Sequence, residues 1–262
     1  MSLLLAASAP TQADCPTIAG FDQILDNKKN QFIVLGEFHG TNEMPQIFGD
    51  AVCLASKERP ITVALEMPET DQQLINAYLA SSGDFGAKQD FLKAQIWKND
   101  FKDGRSSEAM FALFDRLRAF QAAGKIQSVV AFQPAKWLSN AKYERAMAEL
   151  IKAQTQKHSR VLVFVGNVHA MRTKVAFGPK PYVAMAGYLP KKSTLTLNIV
   201  DDGGSAWACT GPKKCGVITS QRPTQTSKRG VVIEAKRNAA YDGVLFLGAA
   251  TTASPPQQPL SK

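Results

Sequence analysis

The chain has 262 residues, of which 45% are hydrophobic and 20% charged. That is enough apolar material for one large domain or two small ones, and it excludes a disordered tail, a coiled coil or a disulfide knot. No apolar run reaches the ~18 residues a membrane span needs, which argues against an integral membrane protein. The net charge is +9, but the densest basic pairs (Lys28-Lys29, Lys191-Lys192, Lys213-Lys214, Lys228-Arg229) fall in loop-like stretches; this reads as a solvated basic surface and not as a nucleic-acid interface.

At the start, Leu3-Leu-Leu-Ala-Ala7 leads through Ser8, Ala9 and Pro10 to Thr11-Gln-Ala13. A short apolar stretch followed by small residues resembles the end of a secretory signal peptide, cleaved after Ala13, and points to a periplasmic or secreted protein; a frayed N-terminus over residues 1–14 is the alternative. The four cysteines are Cys15, Cys53, Cys209 and Cys215, with no CxxC pair among them. In an exported protein, Cys209 and Cys215 close a Gly-Pro turn, which leaves Cys15 to Cys53 as the second bridge. In a cytosolic protein all four are free thiols. A four-thiolate zinc site lacks its usual paired spacing.

In chain order, Phe32-Ile-Val-Leu-Gly36 is a buried strand, and a helical pattern follows from Met44 to Ser56. Ile61-Thr-Val-Ala-Leu-Glu66 is a second strand. Asp71 to Leu79 reads as a helix, with Thr70 or Asp71 near its N-cap. Ser107 to Ala123 shows a broad apolar face (Met110, Phe111, Leu113, Phe114, Leu117, Phe120), with a serine to cap it and Gly124 to end it. Ile126 to Phe132 is strand-like, Lys136 to Gln156 a long helix, and Val161-Leu-Val-Phe-Val-Gly166 the clearest strand. Ser193 to Val200, Gly216 to Thr219, Gly230 to Ile233 and Gly243 to Leu247 all lean towards β. Strands separated by helices imply an α/β fold: a central mixed, mainly parallel sheet with helices on both faces and an antiparallel extension near the C-terminus. We expect one domain over residues 15–250 and a disordered Pro-rich tail over 251–262.

The chemistry concentrates at strand ends, where open α/β sheets form their ligand crevice. Two of the three histidines share one pattern: Gly36-Glu37-Phe38-His39 and Gly166-Asn167-Val168-His169. Glu37 and His39 are two apart and share one face of extended chain. Glu66 ends another apolar strand, where its charge needs water, a cation or a donor. Glu37, His39, Glu66 and His169 therefore converge on one pocket. The set suits a divalent metal (Mn, Co, Zn or Fe) held by His39, His169 and Glu37 or Glu66. It equally suits metal-free chemistry with a Glu or His as general base on water. Glu43 either caps the next helix or touches substrate, and Asn167 is a further candidate for substrate binding. Arg105, between an Asp-Gly turn and a helix start, either holds a substrate carboxylate, stabilises an oxyanion or is a loop cation. His158 reads as a surface residue. There is no GxSxG, Walker loop, GxGxxG or HExxH.

Together Gly36-Glu37-Phe38-His39-Gly40 with Glu43, Leu65-Glu66-Met67, and Gly166-Asn167-Val168-His169 resemble the Tiki/TraB, ChaN and erythromycin-esterase superfamily, over roughly residues 30–250. The resemblance implies an α/β sandwich around a mixed sheet. Its functional implications diverge: a metal-dependent peptidase as in Tiki, lactone hydrolysis with Glu and His as bases as in the esterases, or haem binding through a tyrosine as in ChaN. The esterases place two residues between Glu and His (GExxHG); here there is one, as in the Tiki and ChaN forms. No motif selects an iron ligand among Tyr78, Tyr143, Tyr182, Tyr188 and Tyr241. The leading expectation is a periplasmic hydrolase of an ester or amide in a small-molecule or peptide substrate; the alternative is a ChaN-like haem-binding or iron-related protein without catalysis.

Overall fold

The computed structural model describes residues 15–155, 159–176, 180–211, 214–219, 228–234 and 240–261. The signal-like start and His158 lie outside the described residues.

The helices are α1 (Phe21–Asp26), α2 (Glu43–Ala55), α3 (Gln72–Leu79), α4 (Phe85–Phe91), α5 (Gln95–Lys98), α6 (Glu108–Ala122) and α7 (Asn140–Ala153). The strands are β1 (Phe32–Glu37), β2 (Ile61–Pro68), β3 (Ile126–Gln133), β4 (Val161–Gly166), β5 (Lys174–Val175), β6 (Tyr182–Val183), β7 (Thr194–Val200), β8 (Ser205–Cys209), β9 (Cys215–Thr219), β10 (Gly230–Ile233) and β11 (Gly243–Phe246). Seven strands form the central sheet in the order β10-β11-β7-β1-β4-β2-β3. All its pairs are parallel except β10 with β11, the antiparallel edge. β8 and β9 form a separate antiparallel hairpin.

Strand alternation sorts the core into two layers. Ile33, Leu35, Val63, Leu65, Leu162 and Phe164 face α1–α6. Phe32, Val34, Val161, Val163 and Val165 face Tyr143, Met147 and Ile151 of α7. The central strands are buried on both faces and so read as continuous apolar runs. The cysteines pair as Cys15–Cys53 and Cys209–Cys215, with no free thiol. Two disulfides fit an oxidising compartment. No helix among the described residues is long and apolar enough to cross a membrane.

Several local expectations shift. Helix α7 starts at Asn140 and not at Lys136, because Ser139 adopts an extended N-cap conformation. Asp71 stands at the N-cap of α3, but its carboxylate accepts the N–H groups of Gln95 and Ile96 at 2.7 and 2.9 Å. The short helices α1, α4 and α5 carry too few residues for a periodic signal.

The tail differs most from expectation. Ala253 bridges Thr41, and Pro256 bridges Ser107. The Asn42 N–H donates to the Thr252 carbonyl at 3.0 Å, and the Glu108 N–H to the Pro255 carbonyl at 2.9 Å. Thr251 and Ser254 are buried. A Ser/Pro/Gln segment makes no core of its own, but its backbone supplies partners to amides that loops and a helix start leave open.

Candidate active site

Strands β1, β4 and β2 are adjacent at the centre of the sheet, and their carboxyl ends carry the site. The register sets Glu37 beside Gly166, so the two GxxH segments leave the sheet side by side. At Gly166 the close approach requires glycine: a Cβ there would lie 3.0 Å from His39 Nε2 and 3.4 Å from Glu66 Oε2.

Glu66 is the hub. Its Oε2 accepts the Gly166 N–H at 2.8 Å and lies 3.7 Å from His39 Nε2. Its Oε1 accepts Arg105 Nη1–H at 3.1 Å and lies 3.8 Å from His169 Nε2. Both imidazoles thus aim the same ring nitrogen at one carboxylate. Each is held from behind by another. His39 Nδ1 lies 2.6 Å from Glu37 Oε1, and His169 Nδ1 lies 2.8 and 2.9 Å from the two oxygens of Glu144. An acid behind Nδ1 holds the proton there and leaves Nε2 as the reacting nitrogen. Arg105 is fixed in turn by Asp103, through Nε at 3.1 and 3.0 Å and Nη2 at 2.7 Å.

The electrostatics follow from this geometry. Burial opposes charge on His39, but Glu37 and Glu66 outweigh it and raise the imidazole from 6.5 to about 9. For His169 burial is again the opposing cause, and Glu66 and Glu144 raise it. Burial also opposes charge on Glu66; the two imidazoles, Arg105 and the Gly166 N–H hold it down at about 2. A carboxylate so stabilised is a weak base. The two imidazoles repel each other when both are charged, so they titrate as a coupled pair.

The structure therefore brings together Glu37, His39, Glu66, His169 and Arg105. The Glu43 carboxylate accepts the Thr252 N–H and hydroxyl at 2.9 and 2.7 Å and turns to the tail. Asn167 stays beside the site: its N–H donates to the Glu37 carbonyl at 2.8 Å, and its carbonyl accepts the Tyr241 hydroxyl at 2.9 Å.

Two site residues escaped the sequence reading, Asp103 and Glu144. Glu144 had a visible signal: with Met147, Ala148 and Ile151 it lies on the buried stripe of α7, where a carboxylate needs a partner. Besides His169 it accepts the Met185 N–H at 2.7 Å. Asp103 showed only as part of an Asp-Gly turn.

Among the described residues no group of three or more His, Cys, Asp or Glu side chains is arranged to hold an ion. The Arg105 guanidinium lies on Glu66, while the carboxylate behind each Nδ1 leaves Nε2 of His39 and of His169 open to a proton or a metal alike. Four of the five tyrosines named as iron-ligand candidates have other partners. The Tyr78 hydroxyl donates to Asp115, the Tyr241 hydroxyl to the Asn167 carbonyl, and Tyr188 lies under Arg145. The Tyr143 ring lies tilted against exposed Trp137, centroids 4.8 Å apart, and burial, then Glu66 and Glu144, oppose loss of its proton.

No family model matches the chain, and no curated protein matches it significantly. Solved structures do. A point mutant of an erythromycin esterase in its open conformation aligns over 76% of this chain and 78% of that chain, at 9% identity and TM-score 0.57. A succinoglycan biosynthesis protein aligns over 90% and 91% at 10% identity and TM-score 0.64. A Bacillus cereus protein aligns over 92% and 94% at 12% identity and TM-score 0.61. At these identities the likeness is one of fold alone.

Proposed function

We propose that the protein is a periplasmic or extracellular hydrolase that opens an ester bond in a small molecule by general acid–base catalysis on water, without a metal. The observation that carries this reading is the pair of carboxylate-backed imidazoles aimed at one carboxylate, at 3.7 and 3.8 Å. In the reactive state one imidazole is neutral and the other is an imidazolium. The neutral Nε2 takes a proton from water as the water oxygen attacks the carbonyl carbon. The imidazolium and Arg105 stabilise the resulting oxyanion. The ester C–O bond then breaks, and the imidazolium gives its proton to the leaving alkoxide. Glu66 takes no proton; it keeps the two imidazoles and Arg105 in register. The fold shared with an erythromycin esterase supports an ester over an amide.

The test is turnover of a panel of activated esters, lactones and amides with and without chelator, beside His39→Ala and His169→Ala. Ester turnover that survives chelation and is lost in both variants is the expected result. Ester turnover abolished by chelator, or equal in wild type and variants, would overturn the reading.

A further inference from the structure

The Gly40 carbonyl, one residue beyond His39, accepts two N–H groups from the last quarter of the chain. The Trp207 N–H reaches it from β8 at 2.8 Å, and the Ser254 N–H reaches it from the tail at 2.8 Å. The two arms are joined to each other: the Ser205 N–H donates to the Thr251 carbonyl at 2.8 Å, and the Ala253 N–H to Ser205 Oγ at 3.1 Å.

Each arm also grips the segment that carries Arg105. The Trp207 indole Nε1–H donates to the Lys102 carbonyl at 3.0 Å. The Ala109 N–H donates to Ser254 Oγ at 3.0 Å, and the Gln257 N–H to the Ser106 carbonyl at 2.8 Å. The seam between the His39 and Arg105 loops has no slack. Gly40 has φ +80°, and a Cβ on it would lie 1.9 Å from the Trp207 carbonyl oxygen. Gly104 has φ +99°, and a Cβ there would lie 2.4 Å from the Gly40 nitrogen.

We infer that Trp207 is a positioning residue that sets the Arg105 loop against the His39 loop, so that both reach Glu66 together. It acts through these two loops and makes no hydrogen bond to Glu66 among the described residues. Its backbone holds one loop and its indole the other, as the backbone and hydroxyl of Ser254 do from the tail; the indole is the bulkier of the two bridges and the one a conservative substitution can remove. The His169 half is built differently: Glu144 comes from α7, and neither arm touches it. The inference rests on the hydrolase reading only in its kinetic arm.

The experiment is Trp207→Phe, which removes the indole donor and keeps an aromatic ring, read by NMR of the histidine and arginine side-chain N–H groups and by ester kinetics. We expect the Arg105 Nε–H to lose its protection and the His39 Nδ1–H to shift, while the His169 Nδ1–H stays in place. On esters, kcat falls about tenfold with KM within about twofold. Equal disturbance of both histidines, or disturbance of neither, would overturn the inference. The NMR arm decides it even if no ester is turned over. If the variant does not fold, the wild type supplies the test, since one of its three indole N–H groups belongs to Trp207. Slow exchange of that proton with solvent supports the clamp, and exchange at the free-indole rate overturns it.

Discussion

The two halves of the candidate site make the same chemical unit by opposite routes. In the His39 half, acid and imidazole are two residues apart, Glu37 as the last residue of β1 and His39 in the bend just beyond it. In the His169 half, the imidazole follows β4 while its acid comes from α7, 25 residues earlier, across the interface between helix and sheet. The first pair is a local motif. The second exists only when α7 packs on its face of the sheet. A hydrogen-bonded pair therefore carries no mark of whether neighbouring residues or the whole domain made it. The two halves should nevertheless respond differently to mutation, because only Glu144 also holds the Met185 N–H.

The largest expected effect tests whether the halves act as one machine. His39→Ala and His169→Ala should each lower kcat/KM by about 10³-fold or more, and the double variant should be little worse than either single one. Losses that multiply would mean two independent roles and would break the comparison.

Next comes the shared hub. Glu66→Gln should cost on the order of 10²-fold in kcat. It should also cost about 3 kcal/mol of stability, because Arg105 and two raised imidazoles lose their buried counter-charge. Denaturant unfolding and steady-state kinetics on one preparation measure both. An unchanged midpoint would show that the hub is not a structural ion cluster.

The sharpest contrast between the halves is smaller. Glu37→Ala and Glu144→Ala should slow turnover to a similar degree. Glu144→Ala should be the less stable by about 1–3 kcal/mol, because it leaves the buried Met185 N–H without its acceptor. Equal unfolding midpoints would mean that the second half is no more tied to the fold than the first.

The smallest effect is a pH dependence. His39 has a folded value of about 9 against 6.5 when free, so the folded state binds the extra proton. Its stabilising contribution is complete below 6.5 and is lost as pH rises through about 9. Glu66 runs the other way: its contribution is present above 4.5 and is lost as pH falls through about 2. Unfolding free energy followed between pH 6 and 10 should decline in wild type and decline less in Glu37→Ala. Identical slopes would show that Glu37 does not set the charge of His39.

Much of the architecture was legible in the sequence. The apolar runs of β1, β2 and β4 are buried on both faces, so their continuous hydrophobicity marks them as central parallel strands and their polar followers as strand ends. That reasoning reached Glu37, His39, Glu66 and His169, and the turn chemistry around Gly104 reached Arg105. The Glu43 carboxylate lies on Thr252, and the Asn167 N–H on the Glu37 carbonyl. Residue types alone do not say which atoms face one another. In the structure both Nδ1 atoms face carboxylates and a guanidinium lies on Glu66.

By itself, the sequence determined where chain polarity changes abruptly: which strands are central, which residues leave their ends, and that Glu37 and His39 share a face. Those are properties of a few consecutive residues, where period and composition act directly. Only the tertiary structure decided that Glu144 backs His169 and that the tail binds two loops. Those contacts join residues 25 to more than 200 positions apart. Their free energy comes from satisfying buried donors and charges, a requirement that arises only once packing has removed the water.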